Sequence, residues 1–206
     1  MSHVGGVEEH ARLPVKAGER IGLFGGSFDP VHEGHRHVAD LALKHLKLDK
    51  VVWLVTPGNP LKDTSWLPLR DRMAGVEALI DRATMIVSDI EARLNTRPTI
   101  DLLKRLAVIH PDVDFVWIMG SDNLENFPRW RAWREITALV PICVVARPGF
   151  EHADETSEFA RAYPEARLPL DRASELPVTR PPAWVWIPGP LHPASSTAIR
   201  RAHGAS

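Results

Sequence analysis

Cysteine is nearly absent from this 206-residue sequence: Cys143 is the only one, so no internal disulfide framework can hold the fold and a reducing compartment is expected. It lies in the apolar run 142–146, where it reads as a small buried strand residue. An excess of charge of one sign is lacking too. Lys+Arg 25 against Asp+Glu 26 leave a net charge of -1, which excludes the global basic field that drives association with nucleic acid. Any polyanion must therefore be met by a local arrangement of donors. No apolar stretch approaches the ~20 residues of a membrane span, and the first residues contain no hydrophobic signal core. A cytoplasmic chain without nucleic-acid or membrane partners is expected, its oligomeric state left open. Also missing are G-x-G-x-x-G and G-x-x-x-x-G-K-[ST], which argues against a dinucleotide fingerprint and a P-loop.

What is present suffices for one sizeable core, since 44% of the residues are hydrophobic. Residues 1–19 are polar and aperiodic and read as a mobile N-terminal extension; residues 20–206 then form a single domain. Short apolar runs at 21–24, 51–55, 85–87, 115–119, 142–146 and 184–187 read as strands covered on both faces. Helix-period segments lie between them: Val38, Leu41, Ala42 and Leu46; Met73, Val76, Leu79 and Ile80; Ile100, Leu103, Leu106 and Ala107. The alternation predicts an α/β fold, a doubly wound Rossmann-like parallel sheet whose ligands bind beyond the carboxyl ends of the strands. Residues 150–182, charged and without a persistent period, read as a surface excursion before the last strand.

Directly after the first strand come Gly25, Gly26, Ser27, Phe28, Asp29, Pro30, Val31, His32, Glu33, Gly34 and His35, followed at once by the first helix. Glycines let a backbone approach a ligand closely, and the helix start offers free N–H groups and a positive dipole end to an anion. His32 and His35, three residues apart, can face one pocket, where imidazoles donate to phosphate oxygens and stabilise charge developing at phosphorus. Far along the chain, Ser195, Ser196 and Thr197 open another helical segment, with Arg200 one turn on. Their hydroxyls can cap the helix or turn toward phosphate.

The first string resembles the HxGH signature of the nucleotidyltransferase superfamily, G-[ST]-F-D-P-x-x-x-G-H, and residues 195–200 resemble its second signature, I-S-S-T-x-[IVL]-R, with Ala194 in place of the isoleucine. Further segments resemble the bacterial nicotinate-mononucleotide adenylyltransferases. These are Thr56-Pro57-Gly58-Asn59-Pro60-Leu61-Lys62, the Arg70 and Met73 pair, Gly120-Ser121-Asp122, and Phe127-Pro128-Arg129-Trp130. Where many relatives have S-Y-T this chain has Arg97-Pro98-Thr99.

The resemblance implies transfer of the adenylyl group of ATP to nicotinate mononucleotide, giving nicotinate adenine dinucleotide and pyrophosphate in NAD biosynthesis. It implies His32, His35 and Arg200 as catalytic residues. ATP would be held by Gly25, Gly26, Ser27, Phe28, Gly34, Gly120, Asp122, Ser195, Ser196 and Thr197, and the mononucleotide by Asn59, Lys62, Thr99 and Trp130. Mg²⁺ is expected with ATP as the co-substrate, with no metal ligands from the protein. Trp130 would stack on the pyridine ring, while Trp133 reads as a core anchor. Alternative readings are an adenylyltransferase for nicotinamide mononucleotide or phosphopantetheine, and a non-catalytic nucleotide-sensing module.

Overall fold

The computed structural model describes residues 11–58, 67–80 and 83–202. Its seven strands are β1 (Arg20–Gly26), β2 (Lys50–Val55), β3 (Met85–Ser88), β4 (Asp114–Gly120), β5 (Ile142–Val145), β6 (Arg167–Leu168) and β7 (Trp184–Ile187). They form one sheet in the order β3-β2-β1-β4-β5-β7-β6, with every pairing parallel. The direction of winding reverses between β1 and β4, so the crevice of this doubly wound sheet opens where Gly26 and Gly120 end their strands.

Both faces are covered. On one, α1 (Glu33–Leu46) and α2 (Leu69–Leu79) join Phe24, Trp53, Val116, Ile118 and Val185 in a core that includes Val38, Ala42, Leu46 and Val76. On the other, α3 (Thr99–Ile109) and α4 (Trp133–Leu139) bring Ile100, Leu103, Leu106 and Ile136 onto Leu23, Leu54, Trp117 and Trp184. The apolar strand runs are buried because each face has its own helices to pack against. A final helix, α5 (Ser196–Ala202), follows β7. Among the described residues, no helix is long and apolar enough to cross a membrane.

Two segments differ from the sequence expectation. Within 11–19, expected as part of a mobile extension, Ala11 and Leu13 are buried, Leu13 N–H donates to His110 Nε2 at 3.1 Å, and Gly18 N–H donates to the Asp112 carbonyl at 2.6 Å. Two apolar side chains and a buried acceptor outweigh the polarity of their neighbours, and packed chain begins at least as early as Ala11. The stretch 150–182 is ordered as short helical turns, the two-residue β6 and a 3₁₀ helix, Leu170–Val178. Phe159 is fully buried among Phe127, Trp133, Tyr163 and Trp184. Its apolar residues sit one or two to a turn, so they leave no period in the sequence.

Candidate active site

The chain leaves β1 in a tight path. Phe28 adopts φ 48, a left-handed conformation that strains a bulky residue, and is held there by burial against Phe24, Trp53 and the His35 ring. The carbonyls on this path are gathered by Arg72 of α2, which is 1% exposed. Its guanidinium donates to Ser27 O at 2.7 Å, Thr56 O at 2.8 Å, Leu67 O at 3.1 Å and Pro57 O at 3.4 Å. One buried cation thus fixes the loops beyond β1 and β2 relative to each other. Burial lowers its pKa, and Asp29 opposes that shift. Asp29 itself accepts from the Leu67 N–H at 3.0 Å through Oδ1.

His32 precedes α1 in extended backbone, and the rings of His32 and His35 stack with centroids 3.8 Å apart. The backbone N–H of His32 donates to His35 Nδ1 at 3.3 Å, which requires Nδ1 to be an acceptor and puts the proton of a neutral His35 on Nε2. Both rings are neutral near pH 7. Burial, followed by the charges of Arg147 and His192, pushes His32 down to about 4. Burial, followed by His32 and Arg147, holds His35 well below the ordinary histidine value. The His32 ring in turn faces the backbone N–H of His35, the other half of a capping box that fixes both rings at the start of α1.

The second segment lies directly on this loop. A Cβ on Gly34 would stand 2.9 Å from the Ala194 carbonyl oxygen and 3.0 Å from the His32 ring, so only glycine lets α1 start this close to the chain entering α5. Ser196 Oγ donates to Pro30 O at 3.0 Å, and Arg200 donates to the Asp29 carbonyl and, at 3.4 Å, to Thr197 Oγ1. Ser195 Oγ caps α5 by accepting from Ala198 N–H at 3.2 Å. Residues 166 and 171 positions apart are thereby brought into one surface.

Gly120 and Asp122 lie at the same crevice, where Arg147 reaches from Asp122 to Ala194. Gly25 lies against the Trp117 indole, whose ring meets Trp130 edge to face at 6.1 Å; half-buried Trp130 also packs on Phe127 at 5.3 Å. Asp122, with its side chain 43% exposed, follows Gly120 and faces Arg147 at 3.8 Å. Thr99 opens α3, half-buried. Asn59 and Lys62 lie outside the described residues. Trp133 is buried in the core as expected.

Two residues escaped the sequence reading. Arg70, singled out there, is 93% exposed, whereas the buried arginine is Arg72. The signal was its spacing: Arg72 precedes buried Val76 by one turn and shares its face. Arg147 follows the run 142–146, and the rule that ligands meet the carboxyl ends of parallel strands would have found it.

Residues 23–202 match the cytidylyltransferase-like family model. The chain is 52% identical over 182 residues to a protein described as a probable nicotinate-nucleotide adenylyltransferase from Caulobacter sp. (strain K31), covering 88% of this chain and 96% of the relative. It is 45% identical over 190 residues to one of the same description from Roseobacter denitrificans (strain ATCC 33942 / OCh 114), covering 92% and 96%. In fold it resembles the Plasmodium falciparum nicotinic acid mononucleotide adenylyltransferase solved in complex with NaAD. That likeness has a TM-score of 0.67 at 19% identity, over 89% of this chain and 83% of the other. The chain therefore belongs to the cytidylyltransferase-like family of nucleotidyltransferases, within its nicotinate-nucleotide adenylyltransferase branch.

Proposed function

We propose that this chain transfers the adenylyl group of ATP to nicotinate mononucleotide, releasing pyrophosphate and forming nicotinate adenine dinucleotide for NAD biosynthesis. The observation that carries the reading is the contact of Gly34 with Ala194, which sets two neutral histidines beside a hydroxyl-rich helix start carrying Arg200. A phosphate oxygen of the mononucleotide attacks the α-phosphorus in line, the bond to the bridging oxygen breaks, and pyrophosphate leaves. No covalent nucleophile is needed, only positioning and charge stabilisation.

His35, with its proton on Nε2, donates to a non-bridging oxygen as charge builds there, and His32, stacked on its ring, serves the same group. Gly25, Gly26, Ser27, Phe28 and Gly34 let the α- and β-phosphates approach the start of α1. Ser195, Ser196, Thr197 and Arg200 hold the departing phosphates, exchanging their present partners within the protein for phosphate oxygens. Gly120 and Asp122 contact the adenosine side. Trp130 stacks on the pyridine ring, with Thr99, Asn59 and Lys62 serving its carboxylate and phosphate.

Among the described residues, no group of three or more His, Cys, Asp or Glu could hold a metal ion. A divalent cation, Mg²⁺ in this reading, fits as a passenger on the triphosphate, where it neutralises phosphate charge.

The test is pyrophosphate release by purified protein with ATP, Mg²⁺ and each acceptor in turn. Turnover with nicotinate mononucleotide, at a kcat/KM above that for the nicotinamide form, is expected. A pocket of N–H and hydroxyl donors suits a carboxylate better than an amide, which brings donors of its own. Preference for the amide, or for phosphopantetheine, sinks the assignment. A thermal shift with ATP and no turnover with any acceptor replaces it with a nucleotide sensor.

A further inference from the structure

Arg147 stands just past the end of β5 with its side chain only 12% exposed, and none of the roles above uses it. Its backbone N–H donates to Ser121 Oγ at 2.8 Å, its Nε lies 3.8 Å from Asp122 Oδ1, and its Nη2 donates to the Ala194 carbonyl at 3.0 Å. That carbonyl is the one Gly34 approaches from the other side. We propose that Arg147 is a positioning residue for adenylyl transfer, tying the Gly120–Asp122 turn to the chain entering α5 and so setting the spacing between the adenosine side and the two phosphate segments. The proposal rests on the adenylyl-transfer reading and deepens it.

The guanidinium suits this task because its rigid fork reaches a carboxylate and a carbonyl in different directions at once. A lysine ammonium could meet one of them.

The same charge acts on the histidines. After burial, Arg147 is a cause of the depressed basicity of both His32 and His35. The titratable groups facing that pair are Arg147 from the end of β5, His192 from the loop before α5, and each ring toward the other. A fixed cation here makes imidazolium harder to form. It adds to burial, the larger cause, in disfavouring the charged rings in the ligand-free protein.

Arg147→Gln and Arg147→Lys in the full chain separate the tie from the charge. For the glutamine variant, kcat/KM for ATP is expected to fall on the order of a hundredfold, as small misplacements of reacting groups do, with the KM for nicotinate mononucleotide within about twofold. Histidine ring signals followed by NMR without ligand should show His32 or His35 titrating higher than in the wild type, because a nearby cation has gone. Lysine should return the histidines to their wild-type titration while leaving most of the kinetic defect.

A folded glutamine variant with unmoved histidines, a lysine variant with full kcat/KM, or equal KM rises for both substrates overturns the proposal. If wild-type protein turns over no mononucleotide, the functional reading fails on its own. The ligand-free titration and calorimetric ATP affinity of the variants then decide whether Arg147 orders this crevice.

Discussion

Gly34→Ala tests whether the two phosphate segments meet as described. The new Cβ would sit 2.9 Å from the Ala194 carbonyl oxygen, closer than side-chain carbons tolerate, and 3.0 Å from two atoms of the His32 ring, a tight contact that the ring must ease. Relief requires the chain entering α5 to retreat by roughly 0.4 Å or the stacked ring to turn. Ala194 is held on its far side by Arg147 at 3.0 Å, and Ser196 is tied to Pro30 at 3.0 Å, so the displacement passes to Ser195, Ser196 and Thr197. If misplacement by about 1 Å costs a hundredfold, a shift of this size costs on the order of tenfold, with loss of the His32 orientation adding to it. Stability should change little. Alanine within a helix gains roughly 0.5–1 kcal/mol over glycine, and this offsets a repacking strain of about 1–2 kcal/mol. The expectation is a Tm within ~4 °C of wild type and kcat/KM for ATP down tenfold to a hundredfold. Steady-state kinetics with ATP varied, beside thermal unfolding of the same samples, measure both. A variant with wild-type kcat/KM would show that Gly34 and Ala194 do not sit in contact in the working enzyme.

Glu91, 5% exposed, has its carboxyl pushed up to about 8 by burial, so between pH 4.5 and 8 it stays protonated in the folded chain while the unfolded chain ionises. Stability from this group is full below pH 4.5 and is lost as pH rises toward 8; Glu91→Gln should stabilise by roughly 3–5 kcal/mol at pH 8.5 and by little at pH 4.5, and a difference independent of pH refutes the linkage. Arg200→Ala should raise the KM for ATP and lower kcat together, because Arg200 bridges the Asp29 carbonyl and Thr197, whereas exposed Arg201 should tolerate alanine. Equal effects at the two positions would place the second phosphate segment elsewhere.

The strands were legible because a strand covered on both faces must be apolar throughout, and such runs as Val51 to Val55 have no other reading at that length. Strand β6 was not, since two residues, one of them an exposed arginine, carry no pattern of their own. Its place depends on hydrogen bonds offered by β7. The same division runs through the site. Gly25, Gly26, His32 and His35 were legible because their chemistry is local: a loop, a helix start and two rings three residues apart. Apart from Leu67, five residues before Arg72, the carbonyls that Arg72 and Arg147 bond lie 15 to 47 residues away, and nothing near them in the sequence says which carbonyls those are.

The near-neutral composition also bears on how the proposed reaction ends. A site built from many free cations would bind triphosphate tightly and hold pyrophosphate just as tightly after transfer. Among the described residues, the donors at the mouth of the crevice are neutral imidazoles, hydroxyls and main-chain N–H groups. The two guanidiniums that flank them already bond to the carbonyls of Ala194 and Asp29. A phosphate oxygen that takes Arg200 from Asp29 replaces one acceptor by a better one, and the net gain is the difference between them. When pyrophosphate leaves, the carbonyl is still there to receive the guanidinium, so release leaves no buried charge unpaired. Neutral histidines serve the same end: they donate most strongly when charge has accumulated on the reacting phosphate and lose little when it departs.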